Sequence, residues 1–208
     1  MAKNEELFEA ICKGQRKLVE ELVNKAVAAG ASVVELLNDS MIPAMRNMGD
    51  KFSRNEVYVP EMLIAARAMA AGLKIIEPIL VSAGHKPLAK VCIGTVKGDL
   101  HDIGKNLVAM MLKGAGYEVD DLGVDCDVAK FQAAVDRGAQ AVLCSALLTT
   151  TMPYMKTVAE AFKSSTAKVV IGGAPVTQQY ANEIGASGYG ADANDAVKVI
   201  DQLLGVRN

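Results

Sequence analysis

The sequence predicts a chain in two parts. An N-terminal four-helix bundle occupies residues 1–84, and a C-terminal α/β doubly wound part with a parallel five-stranded sheet occupies 89–208. Three observations carry this prediction. Up to about residue 85 apolar residues recur every three or four positions, with no strand-like run. Beyond it, short unbroken apolar runs alternate with helical patterns, as they do in a parallel sheet covered on both faces. The 208 residues, 51% apolar and 22% charged, are enough to build such a core in one or two domains.

In the first part the helical patterns cover 7–27, 33–48 and 59–76. Turn chemistry at Gly14, Gly30-Ala31-Ser32, 49–55 and Pro78 is expected to break them. Ser32 is a candidate helix cap, and Pro60-Glu61 suits a first helical turn, where the donor that proline lacks has no partner to lose. The segment 78–90 reads as a non-helical linker because of Gly84 and Pro87. After it, strands are expected at 90–96, 117–122, 141–145, 168–171 and, more weakly, 187–189. Helices are expected at 103–114, 128–137, 154–163, 177–184 and 194–204. A Rossmann-like, flavodoxin-like sheet of this kind binds ligands beyond the C-terminal ends of its strands.

Composition narrows the function. With 22 basic and 24 acidic residues the net charge is -2, which argues against a nucleic-acid binder that relies on phosphate contacts. Aromatic residues make up 4% and tryptophan is absent, so a base-stacking platform is not expected. No apolar run approaches the roughly 20 residues that span a bilayer, and the start, MAKNEELFEA, is acidic where a secretion signal is basic and then apolar. Cys12, Cys92, Cys126 and Cys144 form no CxxC and read as reduced thiols, so a cytoplasmic chain with no membrane partner is expected. Two histidines exclude a multi-histidine metal site, and His85 falls in the linker.

The chemistry-bearing residues gather at the predicted strand ends. The first strand leads into Thr95-Val-Lys-Gly98-Asp99-Leu100-His101-Asp102-Ile103-Gly104, which contains neither GxGxxG nor GxxxxGK[ST]. Asp99 is spaced to accept a proton from one imidazole nitrogen of His101, which fixes a ligating histidine's tautomer. From spacing alone, a lone histidine near aspartates is more often a helix-start residue than a ligand. A phosphoacceptor reading fails, because the third strand ends in Cys144-Ser145-Ala146-Leu147 and not in an aspartate.

Asp99-x-His101-x-x-Gly104, Ser145-x-Leu147 and Gly172-Gly173 occur in that order. Together they resemble the cobalamin-binding signature of methionine synthase, B12-dependent mutases and the corrinoid proteins of methyltransferase systems. Met45-Arg-Asn-Met-Gly49-Asp50-Lys-Phe52, Tyr58-Val59-Pro60 and Ala65-Ala66-Arg67-Ala68-Met69 are similar to the helical cap that precedes the B12 domain in methylcobalamin proteins. The two regions cover nearly the whole chain.

The resemblance implies a role for each matching residue. His101 would be the axial ligand to the cobalt of cobalamin or a related corrinoid, displacing the cofactor's own base. Asp99 would hold His101, and the hydroxyl of Thr151, where methionine synthase has serine, would continue the relay. Ser145, Leu147 and Thr149 would line a slot for the displaced nucleotide tail, and Gly172 and Gly173 would let the backbone come close. Gly98, Asp102, Ile103 and Gly104 would lie along the histidine loop, and Ala193 would touch the corrin edge. Phe52 and Val59, the latter a leucine in methionine synthase, would cover the upper face.

The resemblance also implies a methyl carrier with no catalytic residue of its own, since the chain has no zinc-thiol site and no room for a folate-binding barrel. Co(I) would accept a methyl group from a substrate:corrinoid methyltransferase (methylamine, methanol, methoxy-aromatic or betaine type). Methyl-Co(III) would donate it to a second methyltransferase, and a reductive activator would rescue oxidised cobalt. The cap would swing about a hinge at 79–90. A B12-binding regulator or sensor is the first alternative, but no output module is present. The small subunit of an adenosylcobalamin mutase is the second, and the cap argues against it.

Overall fold

The structure, a computed structural model, describes residues 4–206. In the first part short polar side chains set the helix starts. The Asn4 side chain accepts the Leu7 N–H at 3.0 Å and opens α1 (Glu5–Cys12), which α2 (Arg16–Ala28) follows. Ser32 accepts the Glu35 N–H at 3.3 Å and opens α3 (Val33–Leu36). A π-helical turn (Leu37–Met41) then leads into α4 (Ile42–Ser53). At the start of α5 (Val59–Ser82) the Glu61 carboxylate accepts the Tyr58 N–H at 3.0 Å. Leu7, Ile11, Val23, Met45, Met62 and Met69 are buried, and they account for the three-to-four spacing seen in the sequence. At Gly72 on α5 an added Cβ would lie 2.8 Å from the Met41 Cε and 3.0 Å from the Val19 Cγ1. Here a glycine inside a helix gives up some helix propensity for close packing against α2.

Three expectations for this part need correction. The break placed at 49–55 comes later, because α4 runs through Gly49, which is buried beside Met45 and Met48 on the core face. The chain turns only at Asn55, whose φ is 58°. The linker placed at 78–90 is shorter, because α5 continues through Pro78 to Ser82. Pro78 forfeits one helical hydrogen bond, but Ile76 and Leu80 on either side are buried and the Ser82 hydroxyl donates to the Pro78 carbonyl at 2.8 Å. Residues 79–82 are therefore helical. The 33–48 pattern contains the π turn, and its spacing gives no sign of that.

The second part contains β1 (Lys90–Thr95), α6 (Ile103–Gly114), β2 (Glu118–Asp121), α7 (Val128–Asp136), β3 (Ala141–Ser145), α8 (Tyr154–Ala161), β4 (Lys168–Gly172), α9 (Gln178–Ile184), β5 (Gly188–Gly190) and α10 (Ala193–Leu204). All the strand pairs are parallel, in the order β2-β1-β3-β4-β5. This is the flavodoxin-like arrangement, with its switch point between β1 and β3. Phe131, Val142, Met155, Val158 and Ile171 belong to one buried cluster between sheet and helices. The edge strand β2, Glu-Val-Asp-Asp, carries charge where an unpaired strand needs it.

The described residues form two compact units. One runs to Pro87 and includes Gly114–Gly116; the other takes Leu88 to Lys113 and everything from Tyr117 onward. Among the described residues no helix is long and apolar enough to cross a membrane.

Candidate functional site

Strand register aligns the site. Thr95 pairs with Ser145, Ser145 with Gly172, and Gly172 with Gly190, so four C-terminal strand ends form one line. The loop after β1 leaves this line beside the loop after β3, on the two sides of the switch point. Thr95 is fully buried and its hydroxyl donates to the His101 carbonyl at 2.8 Å, which ties the end of the histidine loop to β1.

Asp99 is the centre of the site. Its side chain is fully buried and its carboxylate accepts five hydrogen bonds. Oδ1 accepts the His101 backbone N–H at 3.1 Å and lies 2.7 Å from the His101 Nδ1. Oδ2 accepts the Leu147 N–H at 2.9 Å, the Leu148 N–H at 3.3 Å and the Thr151 hydroxyl at 2.6 Å. Burial alone pushes the Asp99 pKa up. The bonds from Thr151, Leu147 and His101 outweigh it and hold the carboxyl well below the usual carboxylate range. An ionised carboxylate only accepts, so the tautomer of the His101 ring that makes this bond carries its proton on Nδ1 and its lone pair on Nε2.

Nε2 has no hydrogen-bond partner among the described residues, and the His101 side chain is 50% exposed. Leu100 and Ile103, on the same loop as His101, are 71% and 77% exposed, and Leu147 and Leu148, whose N–H groups bond to Asp99, are exposed apolar residues of the loop after β3. Among the described residues no group of three or more His, Cys, Asp or Glu side chains is placed to hold a metal ion. The site therefore offers one nitrogen ligand within an apolar surround. That donor set fits a metal whose remaining ligands arrive with it in a large apolar macrocycle, and does not fit a free ion.

The other residues named from the sequence are placed as follows. Asp102 is exposed and its carboxylate accepts from the Asn106 side chain at 2.9 Å, within the first turn of α6. Gly104 faces open space. Gly98 has φ 83°, and a Cβ there would lie 3.6 Å from the Thr151 Cγ2. Ser145 is half-buried at the end of β3, and Thr149 is exposed in the loop that follows. Gly172, which ends β4, and Gly173, which follows it, allow close approach of the protein's own backbone. A Cβ on Gly173, whose φ is 127°, would fall 2.0 Å from the Ala146 carbonyl oxygen, and one on Gly172 would fall 2.9 Å from the Gly190 carbonyl. Ala193 is buried at the start of α10. Phe52 and Val59 belong to the helical unit, half-buried near the end of α4 and at the start of α5.

Sequence reasoning missed Thr95, Leu148 and Asp125. Thr95 carried a signal, a lone hydroxyl ending an otherwise apolar strand. The other two act through a backbone N–H or across 27 residues, which spacing does not reveal. The buried thiols are chemically quiet. Burial pushes Cys92 up to about 12 and raises Cys126 and Cys144 as well, so all three stay protonated.

Residues 89–198 match a B12 binding domain, and residues 4–77 match a second B12 binding domain model. The trimethylamine corrinoid protein of Methanosarcina barkeri is 42% identical, over 99% of this chain and all of that protein. Among solved structures, the methanol:cobalamin methyltransferase complex MtaBC of Methanosarcina barkeri has a TM-score of 0.85 at 29% identity, covering 98% of this chain and 80% of that one. A cobalamin-binding protein from Desulfitobacterium hafniense DCB-2 has a TM-score of 0.77 at 28% identity, covering 95% of this chain and 96% of that one. On the two domain matches and the relative that is alike from end to end, the chain belongs to the B12-binding corrinoid protein family.

Proposed function

We propose that this chain is a corrinoid methyl carrier that works between two methyltransferases, with a reductive activator returning oxidised cobalt to use. The observation that carries the reading is His101, held at Nδ1 by a buried, ionised Asp99 and exposed at Nε2. When bound, the corrinoid supplies a cobalt centre that takes up and gives away a methyl group. His101 would hold the cobalt through Nε2, and Asp99 would fix the tautomer and orientation of its ring. Thr151 keeps Asp99 ionised and in place. Ser145, Leu147, Thr149, Gly172 and Gly173 would line the tail slot, Gly98, Asp102, Ile103 and Gly104 would lie along the histidine loop, and Ala193 would touch the corrin edge. Phe52 and Val59 keep water from the opposite face. A methyltransferase partner is supported by the likeness to a methanol:cobalamin methyltransferase complex and to a trimethylamine corrinoid protein.

The test combines spectrum and turnover. Loaded with methylcobalamin, the wild-type chain should show a histidine-ligated spectrum. His101→Ala should still bind the corrinoid but show no such ligand. Neither protein alone should turn over methyl acceptors repeatedly. Multiple turnovers by the pure chain, or a His101→Ala spectrum identical to wild type, would overturn the reading.

A further inference from the structure

The loop between β2 and α7 contains a residue whose conformation serves the histidine loop. Asp125 has φ 51°, in the left-handed region that non-glycine residues seldom enter. It is exposed, so core packing does not hold it there. Its Oδ1 accepts the Gly98 N–H at 2.8 Å, and its own N–H donates to the Asp99 carbonyl at 3.1 Å. Its carbonyl accepts from the Lys130 Nζ at 3.2 Å. The next residue extends the splint: the Cys126 N–H donates to the Thr95 carbonyl at 2.8 Å, and Val96 and Cys126 form an isolated parallel bridge. The Gly98-Asp99 dipeptide is thus held at its first N–H and its last carbonyl, and Gly98 itself sits at φ 83°.

We propose that Asp125 is a positioning residue, which fixes the Gly98-Asp99 backbone and so aims the Asp99 carboxylate at the His101 Nδ1. A buried carboxylate with five donors tolerates little rotation, so a shift of its backbone would disturb the 2.7 Å pairing with the ring. The consequence at a bound corrinoid rests on the proposed function. The effect on the ring does not.

Two full-length variants separate the side chain from the turn. Asp125→Gly keeps the left-handed turn but removes the acceptor, and Asp125→Asn keeps both. Without corrinoid, the Gly98 amide in Asp125→Gly should exchange about two- to thirteenfold faster, the range expected for one hydrogen bond of about 0.5–1.5 kcal/mol. The His101 ring nitrogens, read by ¹⁵N NMR, should move toward averaged tautomers. Asp125→Asn should restore both signals. With hydroxocobalamin, the histidine-ligated fraction should fall in Asp125→Gly and recover in Asp125→Asn. An unchanged His101 ring signal in Asp125→Gly, or no recovery in Asp125→Asn, overturns the proposal. A wild-type chain that binds hydroxocobalamin without a histidine ligand overturns the proposed function instead, and the ring signal of the corrinoid-free chain still decides the role of Asp125.

Discussion

Thr151 places one hydroxyl within reach of both the Asp99 carboxylate and the Leu148 carbonyl, and its single proton goes to the charged acceptor at 2.6 Å. Hydrogen bonds to charged groups contribute about 1.5–3 kcal/mol. Thr151→Val, close in shape but without the donor, should therefore destabilise the chain by about that amount, whereas Thr151→Ser should stay within about 0.5 kcal/mol. Denaturant unfolding of both variants checks this, and a loss in Thr151→Ser without one in Thr151→Val would mean that the methyl group matters and the hydroxyl does not. Gly173 is the second residue with a sharp requirement. Its φ of 127° and the 2.0 Å approach of an added Cβ to the Ala146 oxygen forbid any side chain without movement of the loop. Gly173→Ala should cost at least about 1–3 kcal/mol. A thermal midpoint unchanged from wild type would show that the β3 and β4 loops part easily.

At the level of elements, Lys105 ties α6 to the edge strand β2. Its ammonium is almost fully buried and lies 2.5 and 2.7 Å from the two Asp121 oxygens and 2.7 Å from the Asn106 side-chain oxygen. A cation in the first turn of a helix is opposed by the helix dipole, so Asp121 and not α6 itself accounts for its place. Breaking a buried pair costs about 3–5 kcal/mol. Asp121 is about one-third exposed, so Lys105→Ala should lose less, about 1–3 kcal/mol. Burial pushes the Asp121 pKa up, but the Lys105 ammonium and the Gly123 N–H outweigh it and hold the group below its ordinary value. A lowered pKa means that the contribution is fully present above the unfolded carboxyl value of about 3.9 and is lost as pH falls through the folded value. The stability gap between wild type and Lys105→Ala should therefore be flat from about pH 5 to 8 and close below about pH 4. A gap that widened on acidification would contradict the pairing. The same scale shows why the linker was misjudged from sequence: Pro78 carries a local breaking signal, but Ile76 and Leu80 are buried on either side of it.

For the molecule as a whole, the two compact units predict where the chain is vulnerable. Residues 83–88 are non-helical and mostly exposed, and the boundary between the units falls at Pro87 and Leu88. Limited digestion with a protease of broad specificity should cut first between Ser82 and Ala89 and leave two resistant fragments, measured by mass spectrometry. First cuts near Asn55 would place the weakest point inside the helical unit.

Much of this was legible in the sequence, because the signals are local. The 3.6-residue and unbroken apolar patterns located the helices and strands of the second part to within a few residues, and alternation required a parallel sheet. The hydrogen bond between Asp99 and His101 joins residues two apart, within reach of spacing arguments. Tertiary structure alone decided the rest. The bonds that Asp99 accepts from Leu147, Leu148 and Thr151 and the splint at Asp125 need loops brought together from distant parts of the chain, and the Thr95 bond to the His101 carbonyl needs the loop after β1 to fold back on its own strand end. The continuation of α5 past Pro78 depends on burial that no local rule weighs. Periodicity records which face of an element is buried, but which backbone groups meet across two loops is set by how strands pair. That is why the sequence by itself determined the elements and the histidine, while the fold decided how the histidine is held.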